Sequence, residues 1–243
     1  MLTRSFSLSL AAALSVAALA CTPDDARLVE PDETPQLLDA EVRTYTGVDA
    51  AKRMLEIVRT ELSDPVALER NAPLNGQTPE ERRVALQAVV EFLEARLDAT
   101  VMPEAVTAAS GGCHTPTRYW LETDVRYVPP LFEGSTVGEW YDVSGYTWFN
   151  KAAILKTTVS AYHGHRRDWH GPPAVGAPWE YHGEEESSTC INEQLVELRF
   201  KPIERPGYAW AITAHRYKRQ NGSWNTHSTE DFDFNPGSGG PVW

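Results

Sequence analysis

Four histidines crowd one stretch of the sequence: His163, His165, His170 and His182, with Asp168 among them and an acidic run, Glu184 to Glu186, behind. Neutral imidazole is the commonest side-chain ligand for transition metals. Alternate residues of a strand share a face, so an H-x-H pair such as His163 and His165 presents two imidazoles to one ion. His170, or Asp168, can fold back as the third ligand of such a centre. The same stretch, from His163 to Cys190, holds four glycines and three prolines and shows no helix or strand pattern. Structureless loops of that length are usually functional or disordered. Trp169, Trp179 and Tyr181 lie in it, and aromatics on an exposed loop can stack on sugar rings or on protein side chains. Two readings therefore compete: a metal centre on His163, His165 and His170, or a binding loop built on Trp169, Trp179 and Tyr181.

The H-x-H spacing resembles that of cupins and of copper-zinc superoxide dismutases. The cupin pattern places a glutamate a few residues on, where Asp168 and Trp169 stand here. Two other segments carry nucleophile-like residues. "PGSGGP" around Ser238 resembles the G-D-S-G-G-P of chymotrypsin-like proteases, with Pro236 and Gly237 replacing the Gly and Asp. A serine hydroxyl needs a placed base to be activated, and residues 236–243 are read instead as a flexible glycine-rich tail. Cys113 adjoins His114, but neighbours on an extended chain point to opposite sides, so that histidine is poorly placed to deprotonate the thiol.

The strongest chemical signal is a third cysteine. "MLTRSFSLSLAAALSVAALAC" has one positive charge, Arg4, then a short apolar core and small residues before Cys21. This is the layout of an export signal, and it is shorter than the ~20 apolar residues of a membrane span. "AALAC" resembles the lipobox of bacterial lipoproteins, with Ala18 where leucine is usual. The resemblance implies removal of residues 1–20, diacylglycerol on the Cys21 thiol, and, with Thr22 rather than Asp next, sorting to the outer membrane. Thr22 to Arg43 contains seven acids, two arginines and three prolines. Residues 21–46 are expected to form a lipidated, disordered acidic tether.

Removing Cys21 leaves Cys113 and Cys190, and two cysteines in an exported chain predict one disulfide. The net charge of -12 excludes nucleic acid as a main partner, because phosphate binding needs a basic surface.

These candidates must be positioned by elements of two kinds. "VDAAKRMLEIVRTELS" sets Ala51, Leu55, Val58 and Leu62 at helical spacing. In "TPEERRVALQAVVEFLEARLDA", Thr78 is an N-cap, Pro79 fits the first turn, and Glu81 completes a capping box. Leu86, Val89, Leu93 and Leu97 make its apolar stripe. The two helices, joined by "PVALERNAPLNGQ", predict a helical hairpin over 47–100. Residues 111–235 read as strands. Tyr119, Leu121, Thr123, Val125 and Tyr127 alternate with polar residues, and Val196, Leu198 and Phe200 do the same. "EWYDVSGYTWF" and "AILKTTVSAYH" are further strands, the first with an expected bulge at Gly145, and Asn221-Gly222 marks a hairpin. The expected fold class is α+β: an N-terminal helical hairpin, then an antiparallel β-sandwich or small β-barrel of six to eight strands.

The function expected from the sequence is a lipid-anchored cell-envelope protein with a binding or scaffolding role toward a protein or carbohydrate, without a cofactor. The alternative is a metal-binding protein or metal-dependent enzyme centred on the three histidines.

Overall fold

The computed structural model describes residues 36–37, 40–98, 113–129, 139–164, 179–201 and 207–235. The export signal, Cys21, His165, Trp169, His170 and the 236–243 tail lie outside them. Period-2 alternation organises most of the described chain. In β3 (Tyr119–Val128), Leu121, Val125 and Tyr127 point to one side, and Trp120, Glu122 and Asp124 to the other. β4 (Trp140–Ala153), β7 (Ile191–Phe200) and β2 (Glu41–Thr46) join it in an antiparallel sheet ordered β2-β7-β4-β3. A second sheet is ordered β1-β6-β5-β8-β9: β1 (Gln36–Leu37), β6 (Trp179–Glu186), β5 (Leu155–Gly164), β8 (Gly207–Lys218) and β9 (Trp224–Asn235). Its four long strands are antiparallel, and β1 adds two residues in parallel to β6. The two sheets bury Val125, Val143, Val159, Ala161, Val196, Leu198, Ala209 and Ala211 between them. The fold is thus an α+β protein with a β-sandwich at its centre.

The sheets approach each other closely at Gly145. A Cβ there would lie 2.5 Å from Thr213 Cγ2 and 2.7 Å from Val159 Cγ2 of the facing sheet. The bulge expected at this glycine is not there. Pairing runs unbroken through Gly145, opposite Thr123 on one side and Val196 on the other, and the register shift lies between Trp148 and Ala153. What the position requires is the absence of a side chain.

The helices cover the outer face of the β2-β7-β4-β3 sheet. α1 (Val48–Leu62) and α3 (Pro79–Asp98) pack together through Ala51, Leu55, Val58, Leu86, Val89 and Leu93, and share one core with Tyr146 and Leu195 of the sheet. The capping box forms: the Thr78 N–H donates to Glu81 Oε2 at 2.7 Å, and the Glu81 N–H to Thr78 Oγ1 at 3.2 Å. The segment joining the helices is not the plain connection expected. It holds a third helix, α2 (Pro65–Asn71), and a 3₁₀ turn, Ala72–Asn75. Asp64 caps α2 by accepting from the Val66 and Ala67 N–H groups at 3.1 and 3.0 Å, and Pro65 fits its first turn. A three-helix layer therefore replaces the two-helix hairpin.

Two further expectations are corrected. Glu41–Thr46, placed in a disordered tether, is strand β2, in register with β7 from Glu41 opposite Arg199 to Thr46 opposite Gln194. Its Val, Thr and Tyr content favours a strand, which the acidic average of the longer segment concealed. The stretch His163–Cys190, read as structureless, includes β6 from Trp179 to Glu186.

Cys113 and Cys190 form the disulfide, with Cα atoms 5.4 Å apart and a sequence separation of 77. It clasps the chain before β3 to the turn between β6 and β7. Among the described residues no helix is long and apolar enough to cross a membrane.

Gly145→Val should lower stability by about 1–3 kcal/mol through overpacking, read as a fall in the denaturant midpoint at unchanged slope. Reducing the disulfide should lower stability by roughly 4 kcal/mol in the chain-entropy model, read from urea melts with and without reductant.

Candidate functional site

The largest concentration of ionisable groups lies where β9, the edge of one sheet, meets β3, the edge of the other. β9 turns Thr229, Asp231 and Asp233 inward at every second position, and leaves Glu230 and Phe232 on its other face. Asp231 and Asp233 are buried. Asp231 Oδ2 accepts the backbone N–H of Val125 at 2.8 Å, and Asp233 Oδ2 accepts that of Tyr127. The edge N–H groups of β3 are thus taken by carboxylates, where a neighbouring strand would otherwise supply carbonyls. Thr229 completes the row, 2.5 Å from Thr123 Oγ1.

The helices supply the opposite charge. Arg82, from the first turns of α3, sends Nε to Glu61 Oε1 at 3.0 Å and Nη2 to Asp231 Oδ2 at 3.2 Å. Arg70 of α2 reaches Asp233 Oδ1 at 3.1 Å. Carboxylates still outnumber guanidinium groups here, because Glu61, Glu122, Asp124 and Asp231 all share the field of Arg82. Burial, followed by the charges of Glu61 and Asp231, holds Asp124 well above the usual carboxylate range. Burial raises Asp231 too, with Arg82 opposing the shift. Glu122 is pushed up to about 7, again by burial first, against the hydrogen bond it accepts from Trp120 Nε1 at 2.9 Å. The seam therefore holds protons near neutral pH. Its geometry is that of an architectural joint, since the Glu61, Asp231 and Asp233 oxygens face arginines and backbone N–H groups of this chain and Glu122 faces Trp120.

A polar row continues into the sandwich. His215 Nε2 lies 2.7 Å from Thr229 Oγ1, His215 Nδ1 2.7 Å from Thr147 Oγ1, and Thr147 Oγ1 2.9 Å from Thr157 Oγ1. Burial, then the charge of His227, pushes His215 down to about 3, so this imidazole stays neutral and exchanges hydrogen bonds only.

The candidates singled out from sequence fall elsewhere. His163 is a buried strand residue of β5, and its Nδ1–H donates to the Tyr208 carbonyl at 3.0 Å, beside the ring of Tyr141. His165, His170 and Trp169 lie outside the described residues, so the three histidines are not brought together among them. Among the described residues no group of three His, Cys, Asp or Glu side chains is arranged to hold a metal ion. Trp179 opens β6, its backbone opposite His163 and Gln36. Tyr181 is no loop residue: it is buried and stacks on Phe200 at a centroid distance of 3.8 Å. The inward phase of β6 carries it into the core, which corrects its assignment to an exposed binding surface. His182, on the opposite phase, is exposed and meets Ser160 Oγ at 3.3 Å. Glu184, in the acidic run, pairs with Lys156 at 2.6 Å.

A second charged array crosses the outer face of the β2-β7-β4-β3 sheet. Arg126, Asp142, Arg199 and Glu41 stand opposite one another on successive strands. Arg199 grips Asp142 with two bonds, Nε to Oδ1 at 2.6 Å and Nη2 to Oδ2 at 3.0 Å, and Arg126 Nη2 adds a third at 3.1 Å. In the next row Glu197 pairs with Arg53 of α1 at 2.9 Å. Arg199 and Lys201 also lie over the Trp140 ring, at 5.7 and 5.3 Å from its centroid.

Sequence reasoning missed both arrays. The alternation in "STEDFDF" was visible, but the usual rule sends phenylalanine inward and aspartate outward, and β9 does the reverse at Asp231 and Asp233. The chain matches no protein-family model and no curated protein sequence.

Because the folded pKa of Glu122 lies above its ordinary value of 4.5, protonation favours the native state. Its stabilising effect is complete below about pH 4.5 and is lost as pH rises through about 7. Glu122→Gln, which keeps an acceptor for Trp120, should therefore flatten the decline in stability over that interval and raise stability at pH 8 by on the order of 2 kcal/mol. Urea melts of both proteins between pH 4 and 8 check this. Equal pH slopes for the two would contradict the assignment.

Proposed function

We propose that the chain is a lipid-anchored cell-envelope protein whose disulfide-clasped β-sandwich serves as a binding or scaffolding head. The observation that carries this reading is the Cys113–Cys190 disulfide. Disulfides of this kind form and persist outside the reducing cytosol, which agrees with the export signal and lipobox ending at Cys21. Two buried joints support a scaffolding rather than a chemical role. In the β3–β9 seam and in the Tyr146–Glu193–Arg96 triad, ionisable groups are directed at one another. Tyr146 Oη donates to Glu193 Oε1 at 2.5 Å, and Arg96 Nη2 donates to Glu193 Oε2 at 3.1 Å. The buried carboxylates of both joints are paired with arginines of the same chain, which suits presentation of the surface around them. The charged face around Arg126, Asp142, Arg199 and Trp140 is the part of that surface best equipped for polar and stacking contacts.

The metal reading rests on His163, His165 and His170, of which only His163 falls within the described residues, where its Nδ1–H donates to the Tyr208 carbonyl.

Fractionation of cells expressing the wild-type chain and Cys21→Ala tests the anchor. The wild-type protein should sediment with membranes and carry a lipid mass on its N-terminal cysteine, and Cys21→Ala should be released from them. A Cys21→Ala protein that remains membrane-bound sinks the proposal.

A further inference from the structure

The edges of the two sheets are treated differently. β3 and β9 close on each other through Asp231 and Asp233. β2 ends its sheet beyond β7, and Glu41, Val42, Arg43 and Thr44 are all exposed, with Val42 at 43%. Natural edge strands are commonly blunted by short length, charged side chains (lysine above all), proline or a bulge. β2, with the sequence EVRTYT, has no lysine and no proline, and its register with β7 is continuous over all six residues. Its two charges are of opposite sign and two residues apart, on one face.

From this geometry we infer that β2 is a self-association edge, pairing antiparallel with β2 of a second copy of this chain about a two-fold axis through Val42. This goes beyond the anchoring reading and does not depend on it. A two-fold axis normal to the sheet keeps outer faces together, so directly opposed residues must share a face and the axis passes through a residue. An axis at Arg43 would set two guanidinium groups against each other. Glu41 and Arg43 already pair within the strand, and an axis at Thr44 would give Glu41 no charged partner across the axis and put Arg43 opposite Tyr45. An axis at Val42 sets Glu41 opposite Arg43 twice and Val42 opposite Val42. Such cross-strand pairs stabilise, whereas like charges directly opposed destabilise. The array already on this sheet continues across the axis without a clash. Arg126, Asp142, Arg199 and Glu41 alternate in sign on four strands. Next in line come Arg43 and then Glu197 of the second copy.

The register makes a covalent test possible. Directly opposed Cα atoms in an antiparallel pair lie about 4.5–5.5 Å apart, within the reach of a disulfide. The full chain carrying Cys21→Ala has only its native disulfide cysteines left. In that background, Val42→Cys should give a cross-linked dimer under oxidised glutathione. Two thiols join as one disulfide, their two protons leave, and glutathione disulfide takes up the electrons and is reduced to two thiols. Thr44→Cys, four positions from its own mate and so roughly 13 Å away, should give at least tenfold less dimer on non-reducing gels. Adding Glu41→Arg to Val42→Cys should cut the dimer tenfold. If Val42→Cys cross-links no better than Thr44→Cys, or Glu41→Arg leaves the cross-linking of Val42→Cys undiminished, the inference is overturned. Because every protein in the series lacks Cys21, a missing dimer speaks against this edge and leaves the lipid anchor to its own test.

Discussion

A buried strand edge has to find partners for backbone N–H groups that no neighbouring strand can reach, and β3 finds them in Asp231 and Asp233. Ladder pairing would need the strands about 4.8 Å apart, whereas stacked sheets stand about 10 Å apart. At the margin where the sheets converge, a carboxylate bridges the difference: its backbone stays in one sheet and its oxygens reach the other. The two sheets are thereby joined along one side without closing into a barrel.

That solution introduces two buried negative charges, and burying an unpaired charge costs several kcal/mol. The helices meet this requirement. Arg82 neutralises Asp231 and Glu61 together, and Arg70 neutralises Asp233. The helical layer is therefore the counter-ion of the sandwich as well as its apolar cover. α1 and α3 bury Tyr146 and Leu195 through one face, and α2 and α3 carry the guanidinium groups that the β3–β9 seam requires. Removing the helices would expose an apolar sheet face and strand two aspartates, so layer and sandwich should unfold as one cooperative unit. Burial, more than the surplus of acid over arginine, leaves Glu122 and Asp124 holding protons.

The local rules legible in the sequence were those with a short reach. The Thr78 capping box, the stripe of α3, the phase of β3 and β7, and the Asn221-Gly222 hairpin, where Gly222 takes φ +83°, all depend on residues a few positions apart. The disulfide followed from the cysteine count and from reading residues 1–20 as an export signal. Long-range facts were not legible. Gly145 looked like a bulge because a glycine in a strand has two common causes, and only the facing Thr213 and Val159 decide between them. Tyr181 looked like a loop aromatic because its strand carries three consecutive glutamates, whose exposure hides the inward phase of Tyr181 and Gly183. The Arg82 cluster joins residues more than a hundred positions apart. No spacing rule connects Glu61 with Asp231, and inward aspartates on β9 reverse the ordinary pattern. Buried ionic joints are visible only when the fold is.

Overall charge and local charge then have to be kept apart. At -12, two copies repel at long range, but salt screens that repulsion beyond about 8–10 Å under ordinary conditions. The outer edge, by contrast, is balanced: one glutamate and one arginine on β2, backed by Arg199 and Glu197 on β7 in the same two rows. Salt weakens the attraction across such an edge and the repulsion between the bodies alike, so charge sets the register of contact more than its strength. The strength must come from backbone pairing and from Val42 against its mate, which a single short strand supplies in modest amount. That asymmetry fits the two sides of the sandwich. The β3–β9 side is sealed by ion pairs to the buried Asp231 and Asp233, and the β2 side is left exposed and neutral in sum, an edge for a second strand.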